Sequence, residues 1–247
     1  MIKIVNVHKS FGRKKILADI SLEIRQGEIM VIMGPSGCGK STLLRLLIGL
    51  LKPTEGQVWI DGQELSGMNE DALNEVRKKM GMVFQYSALF DFLTVGENVA
   101  FGLRQHTDFA EEDIAKNVSR KLKMVGLAGY EQVMPAELSG GMKKRVSLAR
   151  AIAGNPRIVL YDEPTAGLDP IMSSVIDRLI VSCRDRMDIT SVVVTHHMES
   201  AFRIADRMAM INEGKIIAVG TPEEIKNSRD ATIQQFIHGW LSPTLGR

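Results

Sequence analysis

One run, Gly34-Pro35-Ser36-Gly37-Cys38-Gly39-Lys40-Ser41-Thr42, limits how this chain can fold more than any other feature. It fits the pattern G-x-x-x-x-G-K-S/T. A β-branched apolar stretch at 28–33 leads into it. A helical pattern at 43–51 leads out, stopped by Pro53 and the Glu55-Gly56 turn. A strand that runs straight into a glycine-rich turn and then a helix belongs to a sheet-and-helix core. The glycines let backbone N–H groups curl around phosphate oxygens, and the helix that begins there aims its positive end at the same anion. In such a loop Gly34, Ser36, Gly37, Cys38 and Gly39 form the cradle. Lys40 reaches the β- and γ-phosphates, Ser41 holds Mg²⁺ and Thr42 touches the α-phosphate.

The rest of the chain supports a nucleotide-binding α/β core. Strand patterns occur at 2–7, 16–24, 58–61, 81–85, 158–161, 191–195 and 208–211. Between about 88 and 153 they vanish, and helical patterns at 95–103, 111–124 and 142–153 replace them. This reads as a helical lobe inserted into a sheet-based core. The 247 residues carry a net charge of +2, too small to argue for nucleic acid as a partner. Cys38 and Cys183 give no disulfide framework. No signal segment is visible, and the longest apolar runs are strand-sized, so a membrane path would have to come from another chain.

Two further clusters carry chemistry. The strand pattern at 158–161 ends in Asp162-Glu163. A carboxylate at such a strand end lies near Mg²⁺, the role expected of Asp162, and Glu163 can act as general base on the attacking water. Ser139-Gly140-Gly141 precede a helix and make a second anion site, with a plain helix cap at Ser139 as the simpler reading. One nucleotide has no need of two such sites. A head-to-tail pair of chains resolves this, each capping the γ-phosphate held by the other.

The phosphate loop, Gln85, the run 138–142, Asp162-Glu163, Ala166-Gly167-Leu168-Asp169 and Thr195-His196 follow in an order that resembles ABC ATPase domains across roughly residues 2–225. The resemblance implies a RecA-like P-loop core with an inserted helical subdomain. The expected organisation is one domain over 1–247, with a core lobe at about 1–87 and 156–225, a helical lobe at 88–155 and a tail at 226–247. It also implies that Gln85 senses the γ-phosphate and Mg²⁺, and that His196 contacts the γ-phosphate. Asp169 would lie at the seam of the pair, and Phe11 would stack on adenine. The catalytic set is then Glu163, His196, Gln85 and Lys40, the metal set Ser41, Gln85 and Asp162, and the cofactors ATP and Mg²⁺. The implied partners are a second copy, a transmembrane permease seated near 85–92, and accessory or substrate-binding subunits, at the cytoplasmic face of an inner membrane.

Residues 88–101 and 134–146 are similar to the Mla/Mce-type lipid-transport ATPases, with Met142 standing where most ABC ATPases have Gln. That resemblance implies movement of phospholipid or a related hydrophobic molecule. Pro35, Cys38 and Thr42 follow the general importer pattern instead. The rival readings are a small-molecule P-loop kinase, which leaves 138–142 and His196 unexplained, and an ABC-type ATPase serving another transporter or a soluble assembly system. Lys143-Lys144-Arg145 read as a solvated helix face, His197 as a surface residue and Cys183 as helix packing. In the tail, Ile233, Phe236, Ile237, Trp240 and Leu241 form an apolar stripe ended by Pro243. Its possible fates are a frayed end, packing on its own core, or docking on the second chain or a small accessory subunit.

Overall fold

The computed structural model describes the backbone of residues 2–241 and the side chains of residues 2–237. It divides into two compact units, one running to Gly67 and resuming at Val193, the other spanning Met68–Val192.

In the first unit, β1 (Ile2–Phe11) pairs antiparallel with β2 (Lys14–Ile24) on one side and β4 (Glu55–Ile60) on the other, and β5 (Gln63–Glu64) extends the sheet beyond β4. Alternation sets its faces: Ile2, Ile4, Leu22, Ile24, Val58 and Ile60 are buried while their neighbours Lys3, Glu23 and Gln57 are exposed. A second layer contains β3 (Ile29–Met33), every residue of which is buried, as a strand covered on both faces requires. β3 runs parallel to β9 (Arg207–Asn212), and β10 (Lys215–Gly220) returns antiparallel to β9. Arg207 pairs with Glu28 at 3.2 Å, and the backbone N–H of Ile29 donates to Asp206 Oδ2 at 2.8 Å, so the two parallel strands are pinned together at their N-terminal ends. From β3 the chain enters the phosphate loop and α1 (Lys40–Leu47), which buries Leu43, Leu44, Leu46 and Leu47.

The unit closes with α7 (Met198–Ile204), α8 (Pro222–Lys226) and α9 (Ala231–Leu241). Asp230 Oδ1 accepts from the N–H groups of Thr232 and Ile233 to start α9. Ile233 and Ile237 are buried in their own unit, so the described part of the tail stripe packs on its own core. The side chains of Trp240 and Leu241, and Pro243, lie outside the described residues.

In the second unit, α2 (Glu70–Arg77) leads to β6 (Met80–Val83), which runs parallel to β7 (Ile158–Asp162). Between those strands lie α3 (Val95–His106), α4 (Glu111–Met124) and α5 (Gly140–Ala151). A capping box opens α3: Thr94 Oγ1 accepts from the Glu97 N–H, and the Thr94 N–H donates to Glu97 Oε2. α5 meets β6 where Gly81 passes the Ala151 carbonyl so closely that a Cβ would overlap it. After β7 come α6 (Pro170–Met187) and β8 (Thr190–Thr195), a buried strand within which the chain returns to the first unit.

Candidate functional site

The phosphate loop follows directly from β3. Gly39 has φ +107, a backbone state that disfavours side chains, and a Cβ there would come within 2.5 Å of Leu17 Cδ2. Gly34 is as tightly confined, since a Cβ would overlap the Ile211 carbonyl. Ser36 and Gly37 are exposed, whereas Gly34, Cys38 and Gly39 are buried, and Ser41 and Thr42 are half-buried in the first turn of α1. Lys40 is buried, and its Nζ donates to the Gly34 carbonyl at 2.8 Å and the Pro35 carbonyl at 3.0 Å. A buried ammonium must have acceptors. Those of Lys40 lie five and six residues back in its own loop, and phosphate oxygens can take their place.

Two other residues of this unit belong to the expected set. Phe11 ends β1 with its ring half exposed and the Lys9 ammonium 5.0 Å from its centroid, leaving a π-face for a flat ring. His196 follows β8 and is exposed. Its neighbour His197 is half-buried, and its N–H donates to Thr195 Oγ1.

The second unit holds the remaining residues. Asp162 ends β7 half-buried, and Glu163 follows at 8% exposure with φ +48. The Glu163 carbonyl accepts from the Ala166 N–H at 3.1 Å, which closes the turn. Gln85 lies just past β6, half-buried. Ser139 caps α5, its Oγ accepting from the Met142 N–H at 3.3 Å. Ser139 and Gly140 are exposed, while Gly141 packs on Met172. Asp169 caps α6, its Oδ1 accepting from the N–H groups of Ile171 and Met172 at 2.9 Å, and it too is exposed.

One expectation is overturned. The run 143–145 is not a solvated face. Lys144 is 6% exposed, and its Nζ donates to the carbonyls of Gln85 and Glu163. Burial pushes its ammonium below the usual range, opposed by the carboxylates of Glu163 and Asp162. Arg145 donates to the Val125 and Gly126 carbonyls. Farther along α5, Arg150 donates to the carbonyls of Ser87 and Ala88 at 2.8 and 2.6 Å. A signal existed: Lys144 lies three residues after Gly141 and four before Leu148, a spacing that places all three on one buried stripe.

Comparison with known proteins agrees with this architecture. The ABC transporter family profile matches residues 17–166. The intermembrane phospholipid transport system ATP-binding protein MlaF of Haemophilus influenzae is 43% identical over 97% of this chain and 90% of its own length. A probable ribonucleotide transport ATP-binding protein of Mycobacterium leprae is 40% identical over 96% of this chain and 69% of its own. A dimeric ATP-binding cassette, solved in a post-hydrolysis state with ADP and Pi, superposes with a TM-score of 0.82 at 36% identity, covering 90% of this chain and 99% of that one. A phosphate loop between β3 and α1, a carboxylate pair after β7 and a serine-capped α5, in a chain so matched along its length, mark it as a member of the ABC transporter ATP-binding family.

Proposed function

We propose that the chain hydrolyses ATP as the motor subunit of a membrane transporter and works as one of a pair. The observation that carries this reading is the exposed Ser139-Gly140 cap of α5 in a chain that already owns a complete phosphate loop. A kinase acting on a small molecule has no use for that second anion site.

In this reading Phe11 stacks on adenine and Thr42 meets the α-phosphate. Lys40 exchanges the Gly34 and Pro35 carbonyls for β- and γ-phosphate oxygens. Ser139, Gly140 and Gly141 of the partner cap the γ-phosphate, and Asp169 lines the seam. Glu163 takes the proton of the attacking water while Gln85 and His196 orient it against the γ-phosphate. The bond from the β,γ-bridging oxygen to the γ-phosphorus breaks, and ADP and phosphate leave. The Ser41 hydroxyl, Asp162 carboxylate and Gln85 amide oxygen are hard donors that fit Mg²⁺. When bound, Mg²⁺ neutralises charge on the β- and γ-phosphate oxygens.

Among the described residues no helix is long and apolar enough to cross a membrane. In this reading a permease supplies the transport path, as the likeness to ATP-binding proteins of transport systems supports. Its seat is the aromatic surface after β6, where Tyr86 is 87% and Phe92 77% exposed. Phe90 packs between Phe92 and Phe101 with ring centroids 5.7 and 4.7 Å away. The Asn98 side chain donates to the Phe90, Leu93 and Thr94 carbonyls and accepts from the Phe90 N–H, which holds that surface in shape. The chain then acts at the cytoplasmic face of the inner membrane.

The cargo we assign is phospholipid, supported by the likeness to MlaF. The test reconstitutes the full chain with its permease in vesicles and measures ATP-dependent movement of labelled phospholipid and of a ribonucleotide. Lipid movement abolished by Glu163→Gln supports the assignment. Ribonucleotide movement without lipid movement overturns the cargo but keeps the motor, and ATP hydrolysis unaffected by any permease overturns the coupling.

A further inference from the structure

Lys144 is buried on the inner face of α5, and no step described above uses it. Its two acceptors come from distant parts of the second unit. The Gln85 carbonyl follows β6, and the Glu163 carbonyl, 3.5 Å from Nζ, follows β7. Neither belongs to α5. The Glu163 backbone sits at φ +48, a state that a residue with a side chain keeps only where its surroundings fix it. Its carbonyl has two fixing donors, the Ala166 N–H from its own turn and Lys144 from the helix. The loop after Gln85 is gripped from the same helix. Ser87 and Ala88 have φ +63 and +47, and both their carbonyls accept from Arg150. An ammonium withdrawn from water is retained only where acceptors surround it, so the two carbonyls that hold Lys144 are in turn held by it.

We propose that Lys144 is a positioning residue for hydrolysis, tying the backbones of Gln85 and Glu163 to α5 so that the glutamine, the general base and the Ser139 cap stay in one register. This role rests on the reading of Glu163 as the base. Lys144 does not touch nucleotide; it acts through the backbone of residues that do. Its loss therefore costs turnover and spares binding, because the phosphate loop holds the nucleotide with residues of its own.

The test uses the full chain as wild type, Lys144→Met, Lys144→Gln, Glu163→Gln and the double variant Lys144→Met/Glu163→Gln. It measures kcat, KM and bound nucleotide per chain. Lys144→Met should lower kcat about 10- to 100-fold, the scale of a small misplacement of reacting groups, with KM within about twofold and one nucleotide per chain. Lys144→Gln, which still donates, should recover most of the loss. The double variant should turn over within about twofold of Glu163→Gln, because a residue that acts through Glu163 has little left to lose. A merely structural role would reduce bound nucleotide and multiply the two losses, and that result overturns the proposal. Should Lys144→Met precipitate, Lys144→Ala serves as a second donor-free variant with the same expected result. Wild-type kcat per bound nucleotide in the donor-free variant, with Glu163→Gln impaired, overturns the role of Lys144 alone. Wild-type kcat in Glu163→Gln overturns the base assignment and this role together.

Discussion

The phosphate loop of the first unit and helix α5 of the second each bury a lysine ammonium on a pair of backbone carbonyls. The pairs differ in sequence distance. Lys40 donates to Gly34 and Pro35, within its own loop. Lys144 donates to Gln85 and Glu163, which are 59 and 19 residues away. Acceptors supplied by a loop can be exchanged for those of a ligand at little cost to the fold. Acceptors supplied by two strand ends cannot, because the ammonium also holds those ends. In the proposed cycle one lysine changes partners and the other keeps them.

The largest expected effect removes the chemistry downstream of Lys144. Glu163→Gln should lower turnover on the order of 10²–10⁴-fold while ATP binding survives, the usual weight of a general base. Equal ATP affinity in the variant, read by equilibrium dialysis, separates loss of the base from loss of the site. Next, Lys40→Ala should weaken ATP binding by roughly 10- to 100-fold, the scale of charge-assisted hydrogen bonds to phosphate, and turnover falls with it. Lys144→Met should leave affinity near wild type. Equal losses of affinity in the two variants would erase the distinction between an exchangeable and a fixed ammonium.

A third buried lysine sharpens it further. Lys121 donates to Asn155 Oδ1 at 2.7 Å, its second contact being the weak acceptor Met187 Sδ at 3.8 Å. Burial, aided by Arg120, pushes its pKa down to about 8 from an ordinary 10.5. Below pH 8 the amine is charged both folded and unfolded, and the folded state bears the full cost of burying it. Between pH 8 and 10.5 the unfolded chain binds the proton more strongly, so this contribution to stability rises with pH. Urea unfolding should show wild type gaining on Lys121→Met as pH goes from 8 to 10. A difference that stays constant across that window would mean that Lys121 does not titrate there.

How much of this was legible in the sequence follows the same divide. The strand, glycine loop and α1 are contiguous, so their chemistry is written in adjacent letters. β3 and β7 are unbroken apolar runs and α4 is periodic, so each reads to within a residue or two. β10 is not legible in the sequence, since its burial alternates only weakly and its pairing with β9 sets it. α2 gives no clear pattern either; it is a short helix in which only Leu73 and Val76 are buried, against four charged residues. The sequence conceals the buried state of Lys144 because its acceptors belong to two other segments. Three consecutive basic letters look like solvent until the stripe from Gly141 to Leu148 is followed. The sequence offers Ser139 both as a helix cap and as a seam residue, and Asp169 as a seam residue; the structure shows the cap at Ser139 and adds one at Asp169. Each residue therefore has a local role beside the proposed one.

The measurement that tests the paired motor most directly uses mixed dimers of one Ser139→Arg chain and one Lys40→Ala chain. If each site takes its phosphate loop from one chain and its Ser139 cap from the other, both changes fall in one site and the second is intact. The account predicts one occluded nucleotide per mixed dimer, with measurable hydrolysis, while either variant paired with itself occludes none. No occlusion in the mixed dimer, the result expected if Ser139 serves the nucleotide of its own chain, would contradict it.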